Sequence, residues 1–422
     1  MSSEWISVKL SALGNFDRGK SKHRPRDAAH LYGGPYPFIQ TGDVTAADGR
    51  ITSYRQTYSE AGLAQSKLWP PNTLCITIAA NIAETALLTF PACFPDSVVG
   101  FTADPKKADV RFIEYIFRAF RDSVKSRAYG SVQENINLEV LRDLAFPVPS
   151  VETQREIADF LCMFDDRIFL LRETNATLEA TAKALFKSWF VDFDPVLAKA
   201  EGRDPEGLDA DIAELFPSEL EESGLGAVPK GWVVESLDAV ADYLNGLALQ
   251  KFPPEESSWL PVIKIAQLRK GDTIGADRAG RNLKPEYIIK DGDVLFSWSG
   301  SLEVSIWCGG EGALNQHLFK VTSRDFPKWF YYLWTKHHLA NFQQIAASKA
   351  TTMGHIQRKH LTEAKVLVPP KELIDSATQY LDPLLNLWIE NSLRTRTLVE
   401  LRDALLPRLI SGELRTPEAD AY

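Results

Sequence analysis

The sequence predicts a mixed α/β (α+β) fold built from two copies of one domain, each followed by a long helix. Three observations predict it: an internal repeat, the same order of short apolar runs in both halves, and an unbroken heptad pattern after the first copy. The chain has 422 residues, enough for about two to four domains. Its composition, 45% hydrophobic and 24% charged, is typical of a globular protein.

The repeat is clearest just before the two long helices. Residues 131–149, SVQENINLEVLRDLAFPVP, align without a gap with residues 351–369, TTMGHIQRKHLTEAKVLVP. The two halves begin with EWISVKLSAL and GWVVESLDAV, which share a tryptophan at their second position. Because this period far exceeds that of a solenoid repeat, we predict a duplicated domain at residues 1–150 and 223–370.

Each copy has the same predicted order of elements. Short apolar runs bounded by Gly, Pro, Asn and Asp are typical of strands. A helical run follows them near 109–127 and near 327–346, and then come a polar loop and a strand that ends in proline. The matching strands are predicted at 36–40, 74–78 and 98–102 in the first copy and at 261–265, 294–298 and 317–322 in the second.

The final element of each copy is a long helix with a heptad seam, at 151–191 and 371–412. Each helix of about 39 residues is about 58 Å long at a rise of about 1.5 Å per residue. The first seam has one polar position, and the second is more polar, with Pro383 and Pro407 expected to mark its ends or kinks. The seams are Ile157, Leu161, Phe164, Ile168, Leu171, Asn175, Leu178, Ala182, Leu185 and Trp189, and Ala377, Leu381, Leu384, Trp388, Asn391, Thr395, Leu398, Arg402, Leu405 and Leu409.

Two such helices in one chain most simply pair with each other as a coiled coil. An antiparallel pairing puts the two globular copies at opposite ends of the helices. A buried core helix is the alternative, because heptads also occur in helical bundles. A seam of ten positions without a break favours the coiled coil.

Composition excludes several classes of protein. No stretch approaches the roughly 18 apolar residues that a membrane span needs, and the N-terminus lacks a signal-peptide core. The four cysteines lie far apart, and no HxxxH occurs, which disfavours a disulfide framework and a metal site. We therefore expect a protein of the reduced cytoplasmic compartment that binds no metal.

The net charge of −9 is concentrated in one segment. Residues 192–222 contain eleven acidic and two basic residues and read as an acidic linker, whereas the first copy has a net charge of +2 and the second of +3. Residues 413–422 form a short tail. Mild positive charge is compatible with a DNA-binding protein that reads bases, but two ordinary domains joined by an acidic linker have the same totals.

One motif matches the phosphate-binding P-loop. Residues 14–21, GNFDRGKS, fit GxxxxGK[ST], which makes an NTPase an alternative reading. The mechanism needs a helix directly after the loop, and the following residues, KHRPRDAAH, do not start one. We predict instead a cationic loop that contacts DNA phosphates, with a solvated loop as the alternative; its members are Arg18, Lys20, Lys22, His23, Arg24 and Arg26.

Signals for DNA-modifying chemistry are poor. Pro95-Asp96 and Asp104-Pro105-Lys106 only imitate a nuclease pattern, with short spacing and no acidic partner. An adenine methyltransferase needs [ND]PP[YF], and the Pro-Pro pairs read WPPN, FPPE and VPPK. We therefore expect a protein with no catalytic residue and no cofactor of its own.

Matched polar loops remain as the candidate DNA-binding residues. Arg and Lys suit guanine edges and phosphates, Gln and Asn suit adenine edges, and Ser and Thr fit either. For any one of them an ordinary surface role is equally compatible, and the matched placement in both copies favours contact with DNA. They are Gln40, Thr41, Arg127, Tyr129, Ser131, Gln133 and Asn135 in the first copy, and Gln267, Arg269, Lys270, Arg278, Arg281, Lys284, Lys349, Thr351, Thr352, His355, Gln357, Arg358 and Lys359 in the second.

Several runs of the chain resemble the specificity subunit of type I restriction–modification enzymes. They are PFIQTGDV, VPSVETQREIADFL, ALFKSWFVDFDPV, GLGAVPKGW, NQHLFKV and LRDALLPRLISGELR, in family order over nearly the whole chain. The resemblance implies two target recognition domains joined by an antiparallel two-helix coiled coil. Each domain reads one half of a split, asymmetric site in double-stranded DNA, and the helices set the gap between the halves.

The resemblance also implies the partners. A non-catalytic subunit of this kind binds two methyltransferase subunits and, through them, the restriction and motor subunits, and it directs adenine methylation or restriction. S-adenosylmethionine, ATP and Mg belong to those partner subunits. The helices and the FKSWFVDFD segment, with Phe186, Trp189, Phe190 and Phe193, are the candidate methyltransferase contacts; internal packing is the alternative, favoured for Trp189.

If the helices set the gap, lengthening both by a whole number of turns widens the unread gap and leaves the half-site bases unchanged. Half-sites on one face of B-DNA lie about 34 Å apart, a distance that a helix of about 58 Å can span. Sequencing of methylated sites measures both quantities. Altered half-site bases with an unchanged gap would contradict a spacing role.

Overall fold

The chain is described from a computed structural model, which covers residues 5–79, 81–129, 138–348 and 354–416. Two compact units are present. Unit 1 contains residues up to 167 together with those from 398 onward, and unit 2 contains residues 168–397. Unit 1 is therefore assembled from both ends of the chain.

Unit 1 contains a five-stranded sheet in the order β2-β8-β6-β7-β4, antiparallel except that β4 runs parallel to β7. Two antiparallel ribbons, β1 with β9 and β3 with β5, complete its strands. The strands are β1 Ile6–Lys9, β2 Gly14–Arg18, β3 Tyr32–Phe38, β4 Gly49–Ile51, β5 Gln56–Tyr58, β6 Leu74–Thr77, β7 Thr85–Leu88, β8 Val98–Ala103 and β9 Ala145–Val148. The helices are α1 Leu10–Leu13, α2 Thr41–Ala46, α3 Glu60–Ala64, α4 Val110–Ala119, α5 Arg121–Tyr129 and α6 Leu138–Asp143, with a 3₁₀ turn at Ala29–Leu31.

Helix α7, Val151–Phe190, follows without a break for 40 residues, and unit 2 then adds two sheets and two ribbons. One sheet is antiparallel in the order β13-β20-β17-β18, and the other has the order β15-β14-β19-β16. The strands are β10 Leu220–Ser223, β11 Gly226–Pro229, β12 Val233–Ser236, β13 Asp242–Asn245, β14 Trp259–Ile263, β15 Arg278–Gly280, β16 Ile288–Ile289, β17 Val294–Ser297, β18 Glu303–Ile306, β19 Gly312–Leu314, β20 Leu318–Thr322 and β21 Lys365–Val368. The helices are α8 Asp194–Ala200, α9 Ala210–Leu215, α10 Leu237–Val240, α11 Ile265–Lys270, α12 Lys328–Ser348, α13 Arg358–Glu363 and α14 Lys371–Ile410, with 3₁₀ turns at Leu249–Lys251 and Pro285–Tyr287.

The strand order confirms the predicted duplication. The order β2-β8-β6-β7 in unit 1 repeats as β13-β20-β17-β18 in unit 2, and the ribbon β1-β9 repeats as β12-β21. The predicted strands and the helical runs after them are all present. The first helical run is broken at Phe120 into α4 and α5, whereas the second is the single helix α12.

Helix α14 corrects one expectation. Pro383 lies inside the helix rather than at an end, whereas Pro407 lies in the last turn, near the end at Ile410. Both prolines are exposed, while Leu381 and Leu409 are fully buried. Burial of the apolar side therefore holds the helix together where two backbone N–H groups are missing.

The two helix segments in unit 2 pair antiparallel, as predicted. The rings of Trp189 and Tyr380 lie 5.7 Å apart, while Asn175 near the other end of the segment contacts Ser392. The Asn175 Nδ2 atom donates to the Trp388 carbonyl at 3.0 Å and to the Ser392 hydroxyl at 2.9 Å. The one polar position of the first seam is thus bound across the helix pair.

In unit 1 one polar position of the second seam, Arg402, lies in a buried charge cluster. Arg402 Nη1 donates to Asp165 Oδ1 at 2.6 Å, and Arg118 Nε donates to Glu114 Oε1 at 2.6 Å. The Tyr115 hydroxyl donates to the second Asp165 oxygen at 2.6 Å. Burial raises the pKa of the Glu114 carboxyl above its ordinary value, although Arg118 acts to lower it. Two cations therefore face two carboxyl groups, which explains why this seam is more polar.

The acidic segment 192–222 is more than a linker. It contains α8 and α9, and Val196, Ile212 and Phe216 are buried in the core of unit 2. The Lys199 ammonium donates to the Ala213 carbonyl at 2.9 Å, which ties the two helices together. The prediction of a linker rested on net charge, although apolar residues lie between the acidic ones throughout this segment. Among the described helices, none has the length and apolar character needed to cross a membrane.

Replacement of Arg402 by methionine leaves Asp165 buried without its closest cation. We expect a loss of about 3–5 kcal/mol in the free energy of unfolding, measured in urea. R408M is the control, because the Arg408–Glu413 ion pair is exposed and contributes little. Equal effects of the two variants would contradict the buried cluster.

Candidate nucleic-acid interface

The sequence that matches a P-loop does not form one. Gly14–Arg18 is strand β2, paired antiparallel with β8, and the next residues continue along the sheet through bonds from Gly19 N to Val98 O and from Lys20 N to Phe94 O. The next described helical turn is the 3₁₀ turn at Ala29–Leu31. The P-loop hypothesis is therefore wrong, because no helix begins directly after Lys20, as phosphate binding by a P-loop requires.

The predicted cationic loop lies at the surface of unit 1. Arg24 Nη1 donates to the carbonyls of Ser21 and His23 at 2.7 and 2.8 Å, and the Arg26 Nη2 atom lies 3.0 Å from both Asp96 carboxylate oxygens. The side chains of this loop that are exposed are those of Arg18, Lys20, Lys22, Arg24 and Arg26.

A pocket in unit 1 joins this loop to the first polar loop. Arg26, Gln40 and Thr41, three of the predicted residues, line it together with Tyr32 and Gln56. The Gln40 Nε2 atom donates to Gln56 Oε1 at 2.6 Å. Gln56 was not predicted, because only the antiparallel pairing of β3 with β5 brings it opposite the end of β3.

A second pocket in unit 2 brings together His355, Gln357 and Arg358 at the start of α13. Its wall includes Trp298, whose indole N–H donates to Asn245 Oδ1 at 2.9 Å. The Trp298 and His355 rings lie 6.3 Å apart, and the Arg358 guanidinium carbon lies 5.6 Å from the centre of the Phe319 ring. Sequence reasoning missed Asn245, Trp298 and Phe319 as site residues, although Trp298 is the last residue of a predicted strand.

The other predicted residues of unit 2 are spread over its surface. Arg269, Lys270 and Lys284 are exposed, as is Lys359 beside the second pocket. Arg278 stacks on Trp259, its guanidinium carbon 4.3 Å from the ring centre, and Arg281 forms an ion pair with Glu311.

Gln267 differs from the other predicted residues of unit 2. Its side chain is buried, and its Oε1 accepts from the Lys264 backbone N–H at 3.3 Å. Gln267 therefore stabilises the start of helix α11, and its side chain is not exposed for contact with DNA.

The remaining predictions fall on parts that the structure does not describe. Arg127 and Tyr129 lie at the end of α5, and their side chains are outside the description. The residues wholly outside the described ranges are Ser131, Gln133, Asn135, Lys349, Thr351 and Thr352. Their contact with DNA stays a prediction.

The aromatic segment before the acidic stretch is internal. Phe186, Trp189 and Phe190 are at most 4% exposed and belong to the core of unit 2. Their rings pack against neighbours at 5.1 Å for Phe186–Trp334, 6.0 Å for Trp189–Phe216 and 5.3 Å for Phe190–Trp329. Phe193 is half-buried against Trp232 at 5.8 Å. The burial of Phe186, Trp189 and Phe190 corrects the prediction that they form a methyltransferase contact, because they stabilise the unit from inside, whereas the contact of the half-buried Phe193 stays a prediction.

Truncation of Phe190 to alanine is therefore expected to lower the free energy of unfolding by about 3–5 kcal/mol, because removal of this large buried side chain leaves a cavity. Phe169, on the same helix, is 46% exposed, so F169A is expected to change it by no more than about 0.5 kcal/mol. Urea unfolding of both variants measures the difference. A small effect of F190A on the free energy of unfolding would contradict internal packing of Phe190.

Comparison with known proteins gives consistent matches along the chain. The MjaIX specificity subunit of Methanocaldococcus jannaschii, a type I restriction enzyme subunit, is 25% identical over 430 residues, covering 98% of this chain and 94% of that protein. The type I HindI specificity subunit of Haemophilus influenzae is 27% identical over 325 residues, covering 66% and 71%.

A solved structure shows the same fold. The crystal structure of the S subunit of a type I restriction–modification system from M. genitalium superposes with a TM-score of 0.58 at 16% identity, covering 97% of this chain and 96% of that one. A family model described as the type I restriction modification DNA specificity domain matches residues 2–180 and 229–395, once in each copy of the repeat. The chain belongs to the type I restriction–modification specificity family.

Proposed function

We propose that this chain is the DNA sequence-specificity subunit of a type I restriction–modification complex. It recognises a bipartite, asymmetric site in double-stranded DNA, with one domain for each part. The observation that supports this most is the duplicated strand order, matched twice by the family model, with a different polar pocket in each copy. Two domains with different pockets suit two different half-sites.

In this proposal the chain itself catalyses no reaction. It directs adenine methylation or restriction that partner subunits perform, and those subunits use S-adenosylmethionine, ATP and Mg. Its own residues position DNA: exposed cations contact phosphates, and polar side chains in the pockets contact base edges.

The proposed partners are two methyltransferase subunits, with restriction and motor subunits attached through them. Phe186, Trp189 and Phe190 are buried and cannot contact a partner. We therefore assign the methyltransferase contact to exposed apolar side chains of the long helices. In unit 2, Phe169 and Leu170 of α7 are 46% and 53% exposed, and in unit 1 Met163 of α7 is 60% exposed. Exposed apolar side chains of this size suit a protein interface.

The cationic loop tests the proposed binding of DNA. Replacing Arg18, Lys20 and Arg24 by alanine is expected to weaken binding to all DNA sequences and to flatten the salt dependence by roughly one unit of slope for each lost phosphate contact. Titration of the full chain, in complex with its methyltransferase partner, against labelled duplexes at several salt concentrations measures both effects.

The charge-matched control is K9A/K106A/K107A, which removes three exposed cations elsewhere in unit 1. We expect this control to show the same salt dependence of DNA binding as the wild-type chain. Weakened binding of one sequence only, or an equal effect of the control, would contradict phosphate contact by the loop. A wild-type complex that binds all duplexes alike would contradict the proposed function and favour a scaffold protein.

A further inference from the structure

We propose that two side-chain pairs at equivalent places in the two domains, Gln40 with Gln56 and Lys264 with Asp277, each read one base pair of the DNA site. This deepens the proposed function and rests on it. The pairs are the specificity-determining residues of one position in each half-site. Gln40 and Gln56 are expected to select an A·T pair, and Lys264 and Asp277 a G·C pair.

In unit 1 the pair lies where β3 gives way to α2. Gln40 follows the end of β3 by two residues, and Gln56 on β5 lies opposite Phe38 in the antiparallel register. The Gln40 and Gln56 amides are hydrogen-bonded at 2.6 Å. The Gln40 backbone N–H donates to Asp43 Oδ2 at 2.9 Å, which fixes the position of this residue.

In unit 2 the same arrangement lies where β14 gives way to α11. Lys264 directly follows β14, and the Val262 N–H, two residues earlier, donates to the Asp277 carbonyl at 2.8 Å. The Lys264 ammonium forms an ion pair with the Asp277 carboxylate. Gln267 accepts from the Lys264 backbone N–H, as Asp43 does for Gln40.

The surrounding topology confirms that the two places are equivalent. The strand that carries each pair has a parallel neighbour at the same point: Phe38 bridges Cys93, and Val262 pairs with Ala313. Each strand also has an antiparallel neighbour that leads to the second member of the pair, β5 in unit 1 and β15 in unit 2. The arrangement of the strands is therefore the same in both copies, and the two side chains of the pair differ.

The exposure of both pairs indicates that they contribute little to stability. The side chains of Lys264 and Asp277 are 47% and 68% exposed, and both glutamines are exposed. Exposed pairs of this kind contribute little to folding. In unit 1, the pair also lines the pocket that contains Arg26 of the cationic loop, which is ion-paired with Asp96.

The chemistry of the two pairs differs in the way that two base pairs differ. A glutamine amide offers one donor and one acceptor side by side, which matches N6 and N7 of adenine. A lysine donates to O6 and N7 of guanine, and a carboxylate accepts from N4 of cytosine. An ammonium and a carboxylate held together therefore match the two bases of one G·C pair.

The test exchanges the pairs in the full chain. Q40K/Q56D and K264Q/D277Q are produced together with a methyltransferase subunit that supports modification by the wild-type chain, and methylated sites are mapped in genomic DNA by sequencing. We expect Q40K/Q56D to change one position of one half-site from A·T to G·C, and K264Q/D277Q to change one position of the other half-site in the opposite sense. The preference at that position should shift about fivefold to a hundredfold.

The matched control is K230Q/E219Q, which removes another exposed ion pair of unit 2, with side chains 60% and 65% exposed, and which should leave the site unchanged. An unchanged site in both exchanged variants would overturn this inference alone. Loss of modification at every sequence, with the control active, would show that the pair holds the fold and would also overturn it. A wild-type complex without any sequence preference would overturn the proposed function as well.

Discussion

Antiparallel pairing of α7 and α14 holds both units together, because the two helices contribute to the core of each unit. In unit 1 the early residues of α7, such as Ile157 and Leu161, share a core with Leu409 near the end of α14. In unit 2 the late residue Trp189 of α7 packs in the same core as Leu381 of α14. The core of unit 1 therefore needs residues from two distant parts of the chain, and the core of unit 2 is completed by the late part of α7 and the early part of α14.

Polar residues in the seams give the pairing its register. An apolar seam alone tolerates a shift along the helix axis, whereas a buried polar group is satisfied at one setting only. Asn175 finds its partners at Trp388 and Ser392, and Arg402 finds Asp165. A displaced helix would leave Arg402 and Asp165 buried and unpaired, and it would break both hydrogen bonds of the half-buried Asn175. The more polar second seam is thus a specifying feature and not a weakness.

Sequence reasoning succeeded where the signal is local and periodic. The heptads and the apolar runs follow from spacing alone, and the repeat confirmed them by giving each pattern twice. It failed where tertiary packing decides the outcome. Pro383 and Pro407 remain helical because the opposite side of α14 is buried, and Gly14–Arg18 forms a strand because it pairs with β8.

The site was harder to predict than the fold. Gln56, Asn245 and Trp298 join the pockets only through strand pairing or packing, which no spacing rule reveals. The aromatic segment FKSWFVDFD has a composition that suits an interface and a core equally, and the structure shows the core.

Exchange of one domain is the sharpest test of the proposal that each domain reads its own stretch of DNA. Residues 5–150 would be replaced by the corresponding part of the MjaIX specificity subunit, and methylated sites mapped before and after. The account predicts that one half of the modified sequence is replaced and the other half is kept. A change in both halves, or in neither, would contradict it.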